Sequence, residues 1–71
     1  MMTYAVVFET SPGSNWSAYV PDLPGCVTTG GTLEETQLNI REAIAGHLQV
    51  MREHGDSVPE PLTVVRNVEV A

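Results

Sequence analysis

The sequence predicts an α+β fold in the order β-β-β-α-β: a four-stranded, mainly antiparallel sheet with one helix on one face. Three observations lead there. Residues 4–29 contain three short runs rich in β-branched and aromatic side chains, divided by Pro/Gly turn clusters. Residues 33–54 carry an apolar stripe at helical spacing, with a capping box before it and a glycine after it. Residues 62–70 form a last β-favouring run with Thr63, Val64, Val65 and Val68.

The first strand is expected at residues 4–9, Tyr-Ala-Val-Val-Phe-Glu, with both faces apolar. Such strands are usually central and covered on both sides. Residues 10–15, Thr-Ser-Pro-Gly-Ser-Asn, are a turn cluster, so a hairpin with a longer loop follows. The second strand, residues 16–20, sets Trp16, Ala18 and Val20 opposite Ser17 and Tyr19. Pro21-Asp22-Leu23-Pro24-Gly25 breaks it, and residues 26–29 make a short third strand ended by Gly30-Gly31.

Thr32-Leu33-Glu34-Glu35 is the capping box: the Thr32 hydroxyl accepts from the Glu35 amide, and the Glu35 side chain reaches back to the Thr32 amide. In the helix that follows, Leu33, Ile40, Ile44, Leu48 and Met51 share an arc of about 80°. Gly55 is placed to stop the helix. Gly46 weakens it by about 1 kcal/mol relative to alanine, with or without a close backbone neighbour to account for it. Residues 56–61 are an extended linker. One helix covers one face of a sheet, so the other face is expected to meet a second copy or another protein.

The chain has 71 residues, a single domain spanning 1–71, and it buries only roughly 60% of its unfolded surface. Its lone cysteine excludes an internal disulfide, and no metal-finger spacing is present. Net charge is −6, with no lysine. The excess is even: −2 in residues 1–31, −2 in 32–54 and −2 in 55–71. With no basic stripe, direct nucleic-acid binding is not expected, whereas a basic protein partner suits the surface. No apolar run is long enough for a membrane span, and the N-terminus lacks a basic signal region, so a cytoplasmic protein with a reduced thiol is expected.

Candidate chemistry is thin. Cys26 could act as a nucleophile with His47 as base, but no oxyanion donors or orienting acid accompany them, and a small apolar strand residue explains Cys26 as well. His47 and His54 lie seven apart, where a helical metal pair stands three or four apart; a packed, hydrogen-bonded His47 fits better. Glu34 and Glu35 are adjacent and point apart, which suits a solvated first turn more than acid–base work. Pro24-Gly25 and Gly30-Gly31 lack the lysine that completes a phosphate loop. Trp16 and Tyr19 face opposite ways; one belongs to the core and the other is a candidate interface anchor. No enzyme, cofactor or metal site is expected.

Tyr19-Val20-Pro21-Asp22-Leu23-Pro24-Gly25-Cys26-Val27-Thr28, followed by Gly31-Thr32-Leu33-Glu34-Glu35, resembles the signature of HicB-type antitoxins. Asn39-Ile40-Arg41-Glu42-Ala43-Ile44 resembles the family helix, and His54-Gly55 with Val58-Pro59-Glu60-Pro61 its exit linker, so the likeness covers about residues 3–65. The resemblance implies a partial ribonuclease-H-like unit without the carboxylates of a nuclease. Glu9 is the only acid of the first strand, which agrees. It also implies a partner, a small basic HicA-type toxin that cleaves mRNA, whose active-site histidine and RNA surface the antitoxin covers. Many family members continue into a C-terminal DNA-binding domain. This chain ends at Ala71, so it is not expected to bind its own promoter. The expected contact residues are Trp16, Tyr19, Asp22, Pro24 and Cys26, with Glu34 and Glu42 of the helix. The alternative is a solitary scaffold or regulatory domain that self-associates as a homodimer or higher oligomer, with no toxin.

Overall fold

The computed structural model describes residues 2–71. Strands β1 (Val7–Glu9), β2 (Trp16–Tyr19) and β3 (Val27–Gly30) precede helix α1 (Leu33–Glu53). The strands form one antiparallel sheet in the order β1-β2-β3. The α+β class and the single helix agree with the sequence. Two expectations do not. β1 lies at the edge, because two successive hairpins put β2 in the middle. The fourth strand is absent: among the described residues, 62–70 join no ladder.

Register fixes the two faces. Phe8, Ala18 and Thr28 lie in one cross-strand row, and Val7, Tyr19 and Val27 in the next. Side chains alternate along a strand, so the rows point to opposite faces. The Ala18 side meets the helix. There Ala18, Val20, Leu23, Cys26, Ile40 and Leu48 are buried, with Tyr4, Val6, Phe8, Ala43, Ile44 and Val58 packed partly against them. The helix lies across β3 and β2 and leaves β1 largely uncovered. Of the expected helix stripe, Ile40 and Leu48 are buried and Ile44 and Met51 half-buried. Leu33 is exposed, and Thr36 takes the inward place in the first turns. Thr36 tolerates burial because its hydroxyl donates to the Thr32 carbonyl (2.7 Å).

The turn between β2 and β3 is two nested reversals. The Leu23 amide donates to the Val20 carbonyl, the Cys26 amide to the Leu23 carbonyl, and the Val20 amide back to the Cys26 carbonyl. Pro24 and Gly25 occupy the central positions of the second reversal, and Gly25 has φ +83°, which a type II turn requires at its third residue. The result pushes Leu23 inward until it is 1% exposed. Full burial of a leucine contributes about 1.5–3 kcal/mol, so this turn is also a core element.

The helix is capped at both ends. The Glu35 amide donates to Thr32 Oγ1 (3.1 Å), as the capping box requires. The return bond goes to Glu35 Oε1 from the Gly31 amide (3.3 Å) rather than from Thr32. At the other end the Gly55 amide donates to the Arg52 carbonyl and the Asp56 amide to the Met51 carbonyl, the paired bonds of a Schellman motif.

Candidate interaction surface

Beyond the helix, residues 56–71 leave the domain by a pinned route. Tyr4 Oη donates to the Pro59 carbonyl (2.6 Å). Both Asp22 carboxylate oxygens accept from Thr63, Oδ2 from its amide (3.0 Å) and Oδ1 from its hydroxyl (2.9 Å). Asp22 therefore works as the anchor for the root of the tail. Past Thr63 the side chains are all exposed.

The sheet face away from the helix is open. Tyr19 is 41% exposed and Val27 63%, with half-buried Val7 completing their row. Glu9, Ser17 and Thr29 form the adjacent row, all exposed. A shallow depression lined by Ser17, Tyr19, Val27 and Thr29 runs over β2 and β3. Tyr19 is thus flanked by the aliphatic Val7 and Val27, with the polar Glu9, Ser17 and Thr29 beside them.

The seven residues expected to contact a partner do not form one patch. Tyr19 stands on the open sheet face. Trp16 points to the helix side with Ala18 and is half-buried, but it is not part of the buried core cluster. Pro24 is exposed at the tip of the β2–β3 turn, and Asp22 is occupied with Thr63. Cys26 is buried at 3% exposure, and burial raises its thiol above the ordinary cysteine range. Glu34 and Glu42 are exposed on the helix layer, across the sheet from Tyr19. Val7 and Val27 were not singled out from the sequence. Their signal was the pairing register, which follows once Tyr19 is known to face outward.

Among the described residues, no group of three or more His, Cys, Asp or Glu side chains is placed to hold a metal ion. No described helix is long and apolar enough to cross a membrane. What the geometry defines is a small α+β domain with an open sheet face, in a chain of net charge −6. The chain belongs to the HicB-like antitoxin family of bacterial toxin–antitoxin systems, whose profile it matches over residues 4–70. It is similar to a UPF0150 protein of Thermoplasma acidophilum, 34% identical over 82% of this chain and 84% of that one. A UPF0150 protein of Synechocystis is 30% identical over 94% of this chain and 85% of the relative. An uncharacterised 14.9 kDa protein of Haemophilus phage HP1, from its rep-hol intergenic region, is 37% identical over 83% of this chain. The match spans 44% of that phage protein.

Proposed function

We propose that this chain is an antitoxin that binds a small basic HicA-type toxin and silences its mRNA cleavage by masking the active site. The family match is the observation that carries the reading. The charge of −6 supports it, because an acidic surface attracts a cation-rich RNA-binding protein and competes with RNA for the same groups. In this reading the chain acts in the cytoplasm, by association, and performs no chemistry of its own. Tyr19 with Val7 and Val27 forms the apolar centre of the contact, and Glu34 and Glu42 add charge steering from the helix side. The fold is then a partial ribonuclease-H-like unit.

The test is capture of the toxin with tagged full-length chain from the native cell lysate, followed by an RNA-cleavage assay of the eluate. The expected result is a small basic protein that is silent in the complex and cleaves RNA once the antitoxin is denatured and removed. Tight binding of such a protein without protection of RNA would sink the reading. Within a verified complex, Tyr19→Ala is expected to weaken binding by about 2 kcal/mol, as for a central aromatic anchor.

A second reading has its own support in the exposed apolar tail: a self-associating scaffold or regulator with no toxin partner. Both readings can hold together, since an oligomer can still present the open sheet face.

A further inference from the structure

Two features of this chain contradict their own sequence. Residues 62–70 read as a strand but have no sheet. Strand β1 reads as an inner strand, apolar on both faces, but lies at an edge. We propose that each resolves the other between two copies: residues 62–70 of one chain pair with the free edge of β1 in a second copy of this chain, completing a four-stranded sheet there.

The tail has the form such an exchange needs. Leu62, Val64, Arg66, Val68 and Val70 alternate with Thr63, Val65, Asn67, Glu69 and Ala71, so one face is aliphatic apart from Arg66. Leu62, Val64, Val65, Val68 and Val70 are each 62–85% exposed. Among the described residues, no backbone–backbone hydrogen bond involves residues 57–71. A nine-residue strand spans about 30 Å and exposes a row of amides and carbonyls. The tail also stands off its own domain. The radius of gyration is 13.7 Å, against roughly 11 Å for a compact chain of this length. The longest dimension is 45 Å, longer than the helix at about 31 Å. The Asp22–Thr63 bonds hold the root of the tail at the β2–β3 turn.

The acceptor is equally specific. The two sheet edges differ. On β3, Asn39 Nδ2 donates to the Thr29 carbonyl (2.9 Å), and the backbone at Gly30 lies against Thr36 of the helix, so that edge is partly closed. On β1 the helix stands aside and leaves a groove of about 910 Å³ lined by Tyr4, Val6, Phe8, Leu38, Ile40 and Ile44. A strand added to β1 lays its aliphatic face beside Val6 and Phe8, under Leu38, which is 63% exposed. Glu34 and Arg41 also line the groove, and Glu34 gives Arg66 an opposite charge.

Charge is compatible with a second copy as occupant. Residues 62–70 are net neutral, because Arg66 and Glu69 cancel. A chain of charge −6 meets its own copy at less cost through a neutral segment than through an acidic one. The exchange is reciprocal, so a two-fold pair satisfies both tails and both edges and leaves no open end. This inference deepens the self-association reading and does not depend on the antitoxin one.

The experiment measures mass by light scattering across a concentration series of the full chain, together with amide hydrogen exchange. The expected mass is twice 7.7 kDa, with amides 64–70 and those of β1 protected. The double substitution Val64→Asp/Val68→Asp is expected to raise the dissociation constant at least about tenfold, with helical circular dichroism retained and tail amides exchanging freely. A monomer at all concentrations, a dimer with unprotected tail amides, a monomer with protected ones, or a dimer indifferent to the tail substitutions would each overturn the proposal. Exchange on the unmodified chain decides the matter even if the double variant does not fold. Toxin capture reads out the antitoxin reading separately.

Discussion

Cys26 sits beneath the β2–β3 turn, its thiol pushed up by burial. The thiolate is the reactive form, so alkylation by iodoacetamide at neutral pH is expected to be at least about tenfold slower in the folded chain than in urea. The same shift carries a pH dependence. The folded state holds the thiol proton more tightly than the unfolded state does. That contribution is fully present below the ordinary cysteine pKa and is lost as pH rises through the raised value. The urea midpoint is expected to decline over that alkaline window, with the Cys26 component of the slope absent in Cys26→Ala. Gly30 is constrained differently: a Cβ there would run into Thr36 Oγ1 and stand 2.9 Å from the Thr36 amide nitrogen. Gly30→Ala is expected to destabilise by about 1–3 kcal/mol in urea titrations, because backbone cannot give way as a side-chain tip can. The clash was not legible in the sequence, where Gly30-Gly31 read only as a strand terminator. Nor was the inward place of Thr36, a polar residue whose burial depends on its bond to the Thr32 carbonyl.

The helix was the most legible element. Its bounds follow from Thr32 and Gly55, whose capping bonds are local and therefore readable from spacing alone. The strands were legible in kind and order but less so in extent. Tyr4, Ala5 and Val6 have strand-forming side chains yet fall outside the ladder, since β1 begins at Val7, opposite Tyr19 at the end of β2. Ladder length is a property of two segments at once, and no single segment states it. The site was legible in part for the same reason. Tyr19 could be picked out by its chemistry, but Val7 and Val27 join it only through cross-strand pairing. The bond from Thr63 to Asp22 spans 41 positions and was not legible in the sequence. Gly46 has open space around its Cα, with nothing within 4 Å of an added Cβ. Gly46→Ala is therefore expected to stabilise the chain by up to about 1 kcal/mol, measured as a higher urea midpoint.

At the scale of the molecule, a six-residue buried apolar set leaves little reserve, and long-range charge dominates how the chain meets others. Raising ionic strength from about 0.01 to 0.15 M shortens the screening length from about 30 to about 8 Å. Association with a basic toxin is expected to slow over that range in stopped-flow measurements, whereas tail exchange, through a neutral segment, should not weaken. The bonds at the tail root have a further consequence, in time rather than in space. Tyr4–Pro59 and Asp22–Thr63 join residues 55 and 41 positions apart, while the hairpins and helix close over much shorter spans. Contacts across long loops carry the greater entropic cost and tend to form after local ones. The root is then assembled on the far side of the folding barrier. Asp22→Ala is expected to accelerate unfolding while leaving the refolding rate nearly unchanged, a split that the two limbs of a denaturant chevron read directly. Partial opening is then expected to begin at that root, ahead of the sheet and helix.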